Sequence, residues 1–200
     1  MSCLYRKSME IKIQKEKIRR ELLNRRSRIP EEEYLERSER IVSRLLRLPE
    51  VINARTVHCY ISMNNRREVN THGLIKELIH SGHNVAVPIT HTESGTLTHT
   101  RLNDFEDMQP NAWGVMEPRT GEKVAVEDLG LVIVPMVGGD LNRNRIGYGK
   151  GFYDRFLQHV SCPSVGLLFE TCLMDEIPTE PFDVRSEERR VGKECRSRWS

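Results

Sequence analysis

The sequence predicts an α/β domain with an open, mainly parallel sheet, three layers deep, with helices on both faces and additional helices at the N-terminus. Three observations lead there. Short β-branched runs alternate with helical periodicities along most of the chain, as in βαβ units. The run Val132-Ile133-Val134 is continuously apolar, which marks a strand covered on both faces. A glycine-rich polar loop separates that run from an amphipathic helix, and ligands of such sheets sit where strands give way to helices.

The 200 residues suit one domain, large enough to bury a core without disulfide staples. The five cysteines are odd in number, scattered and without a C-x-x-C pair, which argues for reduced thiols over a disulfide framework or zinc site. Charges at Arg6, Lys7, Glu10 and Lys12 break the N-terminus before a signal-peptide core could form, and no apolar run reaches membrane-spanning length. A cytoplasmic location without membrane contact is the expectation. The net charge of +2 makes no whole-chain case for nucleic acid, although residues 6–28 carry ten basic side chains against Glu10, Glu16 and Glu21.

A first helix is predicted over about 8–26, with Ile11, Ile18 and Leu22 on one face and Lys15 and Arg19 as i,i+4 neighbours on an adjoining one. Pro30 opens a second helix at its N1 position, with Glu31, Glu32 and Glu33 at the positive end of its dipole and Tyr34, Ile41, Leu45 and Leu48 as its apolar stripe. A strand follows over 56–61, a polar loop holding Glu68, and a helix carrying Leu74, Ile75, Leu78 and Ile79. The next strand covers 84–87 and stops at Pro88, and residues 96–102 alternate enough for an edge strand. Trp113 precedes a Gly-Val-Met-Glu-Pro turn and is read as packing, with stacking on a flat ligand as the alternative. After the glycine loop, residues 164–169 form a further strand.

The loop carries the chemistry. Gly147, Gly149 and Gly151 alternate, Lys150 sits between the last two, and Asp140, Arg143, Arg145, Tyr153 and Asp154 lie close by. Strand, glycine loop and helix N-terminus together present N–H groups to phosphate, and Lys150 adds a point charge. The spacing matches neither G-x-G-x-x-G nor the Walker loop, because Gly151 stands where Ser or Thr is required. His58, His72, His80 and His83 show no metal-ligand spacing.

Asn144-Arg145-Ile146-Gly147-Tyr148-Gly149-Lys150-Gly151-Phe152-Tyr153-Asp154 resembles the signature of the 5-formyltetrahydrofolate cyclo-ligase family. Three further segments follow the family's order: Lys15-Glu16-Lys17-Ile18-Arg19, Glu68-Val69-Asn70-Thr71 and Pro178-Thr179-Glu180-Pro181-Phe182-Asp183. The resemblance implies a NagB/RpiA/CoA-transferase-like fold and the ATP-dependent closure of 5-formyltetrahydrofolate to 5,10-methenyltetrahydrofolate, with release of ADP and phosphate. It assigns ATP to Lys15, Arg19, Arg145, Gly147, Tyr148, Gly149, Lys150, Gly151, Phe152 and Tyr153. Folate falls to Ile61, Glu68, Tyr148, Gly149, Lys150, Gly151 and Phe152, and Mg²⁺ to Asp154 and Asp183. Lys150, Arg145 and Tyr153 are the catalytic candidates. The partners are then small molecules, and the protein is expected to be a monomer.

Other readings are a sugar-phosphate isomerase or CoA transferase on a similar sheet, an RNA-binding relative using the basic helix, and a cyclo-ligase inactivated at its C-terminus. Residues 1–184 are taken as the domain. Residues 185–200, with almost no apolar content, read as a non-native, disordered tail of the kind left when a reading frame runs into vector sequence, so that a final strand is missing.

Overall fold

The computed structural model describes residues 3–106, 108–180, 183 and 188–191. The chain begins with three helices: α1 (Cys3–Ser27), α2 (Glu31–Leu45) and α3 (Pro49–Asn53). It continues through β1 (Thr56–Cys59), α4 (His72–His80), β2 (Asn84–His91) and β3 (Thr96–Leu102). A small ribbon of β4 (Met108–Pro110) and β5 (Met116–Pro118) precedes β6 (Leu131–Pro135). Then come β7 (Gly138–Asp140), β8 (Arg145–Ile146), α5 (Phe152–Leu157), β9 (Ser164–Leu168), β10 (Leu173–Met174) and β11 (Glu188–Val191).

The main sheet runs β11-β9-β6-β1-β2-β3 and is parallel except for β3, which lies antiparallel at the edge. Alternation along the central strands builds two cores, because successive side chains leave opposite faces. Val57, Cys59, Val85, Val87, Leu131 and Ile133 face α2 and α4, packing with Tyr34, Ile41, Leu74 and Leu78. Ala86, Val132 and Val134 face the other way and pack on Phe156 and Leu157 of α5. The three layers are therefore present, and each fully buried Leu or Ile contributes roughly 1.5–3 kcal/mol.

The crossover β1–α4–β2 covers one face, and β6–α5–β9 covers the other. Strand order therefore reverses between the adjacent strands β1 and β6. A crevice opens beyond the carboxyl ends of strands at such a point, which is where ligands of open sheets bind.

Four expectations are corrected. Pro30 is the N-cap of α2 and does not occupy N1. The second strand runs through Pro88 to His91. Its pairing with β1 ends at Ala86, and beyond that point it has β3 alone as a neighbour, where a proline is tolerated. The polar stretch after Pro135 is not a plain loop. Its first part forms β7 and β8, which join β10 in a separate three-stranded sheet packed under Leu22 of α1. Within the expected disordered tail, Glu188–Val191 form a strand parallel to β9, so a final edge strand exists; positions 184–187 and 192–200 lie outside the described residues.

Candidate active site

The loop between β8 and α5 occupies the switch-point crevice, and its conformation depends on two glycines. Gly149 and Gly151 take φ of +85° and +71°, values that side chains with a Cβ rarely adopt. A Cβ on Gly149 would also meet the Arg19 guanidinium carbon at 2.9 Å. Arg19 donates from Nε to the Gly147 carbonyl at 2.8 Å, so α1 holds the loop from one side. Arg155 holds it from the other, donating to the carbonyls of Lys150 at 2.9 Å and Gly95 at 2.7 Å.

Two cavities meet at this loop. The first, of about 120 Å³, is lined by Lys15, Arg19, Arg145, Asp154 and Asp183 together with the whole run Ile146–Tyr153. Every residue assigned above to ATP or to Mg²⁺ lies on its wall. The second, of about 240 Å³, is mainly apolar and is lined by Ile61, Tyr60, Met63, Leu97, Trp113 and Val115, with Glu68 and Arg66 as its charged groups outside the loop. Tyr148, Lys150, Phe152 and Tyr153 line both cavities and form the partition between them. Of the substrate candidates, Gly149 and Gly151 face the first cavity only. Trp113 packs edge-on against Phe152, with ring centroids 5.6 Å apart.

The charges in the first cavity are mostly paired. Lys15 contacts Asp183 at 2.5 Å and Glu180 at 3.4 Å. Asp183 also accepts the Glu180 N–H at 2.7 Å, and Glu180 accepts the Ser8 hydroxyl at 3.0 Å, which clamps α1 to Glu180 and Asp183. Arg145 pairs with Asp154. Burial pushes the Arg145 pKa down, while Asp154 and Asp183 oppose the shift. Lys150 is exposed and makes no ion pair among the described residues, so its charge is available to a ligand.

Asp140 has a different role from its neighbours. It is completely buried and accepts four hydrogen bonds, from the Asn142 N–H at 2.8 Å, the Asn144 N–H at 3.0 Å, the Asn144 side-chain amide at 2.8 Å and the Ile177 N–H at 2.8 Å. It is the frame of the β7–β8 turn. Arg143 sits in that turn with φ +66° and lines neither cavity.

Beneath α5 lies a buried aromatic cluster. His58 stands 4.9 Å from His99 and 5.0 Å from Phe156, and its ring nitrogens have no hydrogen-bond partner among the described residues. Burial, reinforced by His99, pushes the His58 pKa well below the ordinary imidazole value, and burial lowers that of His99 to about 4. Both rings are thus neutral when folded, whereas the unfolded chain protonates below about 6.5. The unfolded state then binds more protons, so stability present at neutral pH is lost as pH falls from about 6.5 toward 4, by up to about 1.4 kcal/mol per pH unit for each histidine. Denaturant unfolding at pH 7.5, 6 and 5 measures the slope, and His99→Leu is expected to flatten it.

Arg26 was not among the sequence candidates, although it is 2% exposed and reaches the partition. Its signal was present: Lys15, Arg19, Leu22 and Arg26 follow one another at helical spacing, and along that stripe of α1 Lys15, Leu22 and Arg26 are buried and Arg19 half-buried. The expectation that Lys15 and Arg19 lie beside the apolar face is corrected accordingly. Tyr60, Met63 and Arg66 were also missed, as residues of a loop whose course is set by Glu68.

Fold and site together define an α/β enzyme whose switch-point crevice joins a cation-lined cleft to an apolar one. The chain belongs to the 5-formyltetrahydrofolate cyclo-ligase family, whose profile matches residues 11–188. It is 29% identical over 166 residues to the 5-formyltetrahydrofolate cyclo-ligase of Escherichia coli K12, covering 80% of this chain and 90% of that one. It is 26% identical over 184 residues to the mouse protein of the same name, covering 86% and 90%. The NMR structure of Aquifex aeolicus 5,10-methenyltetrahydrofolate synthetase is similar with a TM-score of 0.79, at 29% identity and 90% coverage of each chain. A synthetase structure from Mycoplasma pneumoniae shares the fold, with a TM-score of 0.70 at 18% identity and coverage of 88% and 96%. The isomerase, CoA-transferase and RNA-binding readings give way to this membership.

Proposed function

We propose that the protein converts 5-formyltetrahydrofolate and ATP to 5,10-methenyltetrahydrofolate, ADP and phosphate. The observation that carries the reading is the shared partition: Tyr148, Lys150, Phe152 and Tyr153 separate a cation-lined cavity from an apolar one, so a phosphoryl donor and a flat acceptor meet across a single loop.

The chemistry asks for that arrangement. The N5-formyl group is an amide, and its oxygen is a poor leaving group. That oxygen attacks the γ-phosphorus and ADP departs. N10 then attacks the activated carbon, loses its proton, and phosphate leaves with the former formyl oxygen. Phosphoryl transfer needs positioning and charge neutralisation rather than a covalent nucleophile. Lys15, Arg19 and Arg145 on the wall of the first cavity supply cations for the triphosphate, and the backbone at Gly147, Gly149 and Gly151 lets phosphate approach closely. Lys150 reaches both cavities and neutralises the transferring group. Glu68 offers a carboxylate to the pterin N–H groups, with Ile61 and Phe152 against its ring. Tyr153 lines both cavities, and its hydroxyl is buried and without a partner among the described residues, so a turn of the side chain toward the partition would let it donate to a ligand oxygen.

Mg²⁺ fits Asp154 and Asp183, which line the triphosphate cavity as hard carboxylate donors; the ion takes one or two such groups plus phosphate oxygens and water. Among the described residues no group of three or more His, Cys, Asp and Glu forms a ready-made metal cage, in keeping with an ion that arrives with the nucleotide. Bound there, Mg²⁺ supplies charge neutralisation to the phosphates. Asp154 and Asp183 now face Arg145 and Lys15, so those pairs are exchanged when nucleotide enters.

The finer fold label, NagB/RpiA/CoA-transferase-like, belongs to the same reading, as do a monomeric state and a cytoplasmic location. No described helix is long and apolar enough to cross a membrane. Mixing the protein with MgATP and 5-formyltetrahydrofolate tests the function. Growth of the methenyl product's near-ultraviolet absorbance, dependent on ATP, is the expected result, and no product with both substrates present would overturn it.

A further inference from the structure

We infer that Arg26 is a positioning residue for the pterin-side carboxylate: acting from α1 through the Tyr148 hydroxyl, it orients Glu68 on the wall of the apolar cavity. The inference rests on the proposed reading of that cavity as the reduced folate's site.

The Arg26 side chain makes three hydrogen bonds. Nε donates to the Arg66 carbonyl at 3.0 Å, Nη1 to the Met136 carbonyl at 3.1 Å and Nη2 to the Tyr148 hydroxyl at 2.6 Å. The first two tie the loop after β1 to the end of β6, the two sides of the crevice. The third has a fixed direction. A guanidinium has no acceptor, so the hydroxyl must accept from Arg26, and its single proton is then left for another partner. That partner is Oε1 of Glu68, while Oε2 of Glu68 accepts the Met63 N–H at 2.6 Å. Burial and the nearby Glu68 raise the Tyr148 pKa, which keeps this proton on the tyrosine.

Bracing two carbonyls does not require a charge, and stripping water from a guanidinium costs several kcal/mol when no counter-ion is near. Among the described residues no carboxylate is a hydrogen-bond partner of Arg26; the negative charge nearest along the chain of bonds is Glu68, one hydroxyl away. The fixed charge is explained if it serves that carboxylate. With both oxygens held, Glu68 keeps its remaining lone pairs directed by the relay, and the N–H groups of a pterin meet acceptors already in place. Preorganisation of this kind appears in substrate affinity and not in the handling of ATP.

The test compares Arg26→Met, Arg26→Lys and Tyr148→Phe by KM for each substrate and by kcat. Arg26→Met is expected to raise the KM for 5-formyltetrahydrofolate at least about tenfold, equivalent to about 1.4 kcal/mol, with the KM for ATP within about twofold. Arg26→Lys restores part of the loss, because it returns the charge without the fork. Tyr148→Phe removes the relay and spares both carbonyl bonds, so it shifts the folate KM in the same direction by less, and it carries the test alone if Arg26→Met does not fold. An unchanged folate KM in folded variants, or equal rises in both KM values, overturns the inference. Absence of methenyl product from the unaltered protein overturns the underlying reading as well, whereas product formation with unresponsive variants overturns the inference alone.

Discussion

Replacing Lys150 with alanine lowers kcat by about a hundredfold or more, the usual cost of deleting one preorganised charge at a developing anion. The size of the effect follows from how the site's cations are committed. Lys15 is paired with Asp183 and Glu180, Arg145 with Asp154, and Arg19 with Glu16 and the Gly147 carbonyl. Lys150 is exposed, unpaired among the described residues, and on the wall of both cavities. It is therefore the cation placed to follow charge as it moves from donor to acceptor. Because its side chain holds no other element in place, the variant should melt within a few degrees of the unaltered protein. Steady-state kinetics with a parallel thermal melt check this, and unchanged turnover would remove Lys150 from the mechanism.

Asp140→Ala should produce the largest loss of stability. The substitution removes the acceptor of four donors, three of them buried, at Ile177 and twice at Asn144, and one on the exposed Asn142. Each unsatisfied donor costs roughly 1–3 kcal/mol, and with relaxation of the turn the total is about 4 kcal/mol or more. For a chain of this size that lowers Tm by about 10 °C. The damage reaches the site by two routes. The β7–β8 turn delivers Arg145 to the first cavity, and Ile177 leads into the segment carrying Glu180 and Asp183. Asp140→Asn keeps the acceptor oxygen and exchanges the charge for an amide, so its effect falls between. Calorimetric melting of the three proteins orders them, and an Asp140→Ala protein as stable as the unaltered one would contradict the framing role.

Much of this organisation was legible in the sequence because its strands are buried on both faces. Val132, Ile133 and Val134 could hardly be anything else, and Leu74, Ile75 and Leu78 carry an undisguised helical period. The elements that escaped were those whose cause lies elsewhere in the chain. The strand Gly138–Asp140 has no apolar alternation, and its turn exists because a distant Ile177 N–H helps to satisfy Asp140. The strand Glu188–Val191 is written in charged residues and pairs at an edge, where composition says little. The second strand passes through Pro88 because its neighbour on one side has already ended.

The site was legible for a related reason and illegible for another. Glycines at alternate positions with a lysine between them announce themselves, and the structure brings the residues they recruit around one cavity. Arg26 did not announce itself. On α1 the buried stripe contains cations, so the usual rule that charge marks the wet face pointed the wrong way. A buried arginine is found by asking which acceptors surround it, and those belong to residues 40 to 122 positions away.

In the proposed reaction the loop places ATP's terminal phosphoryl group against the formyl oxygen of the folate. Labelling that oxygen with ¹⁸O and analysing the products of one turnover by mass spectrometry tests it directly. The label is predicted to appear in the released inorganic phosphate, one atom per molecule. Unlabelled phosphate, with the ¹⁸O recovered in water, would contradict the claim.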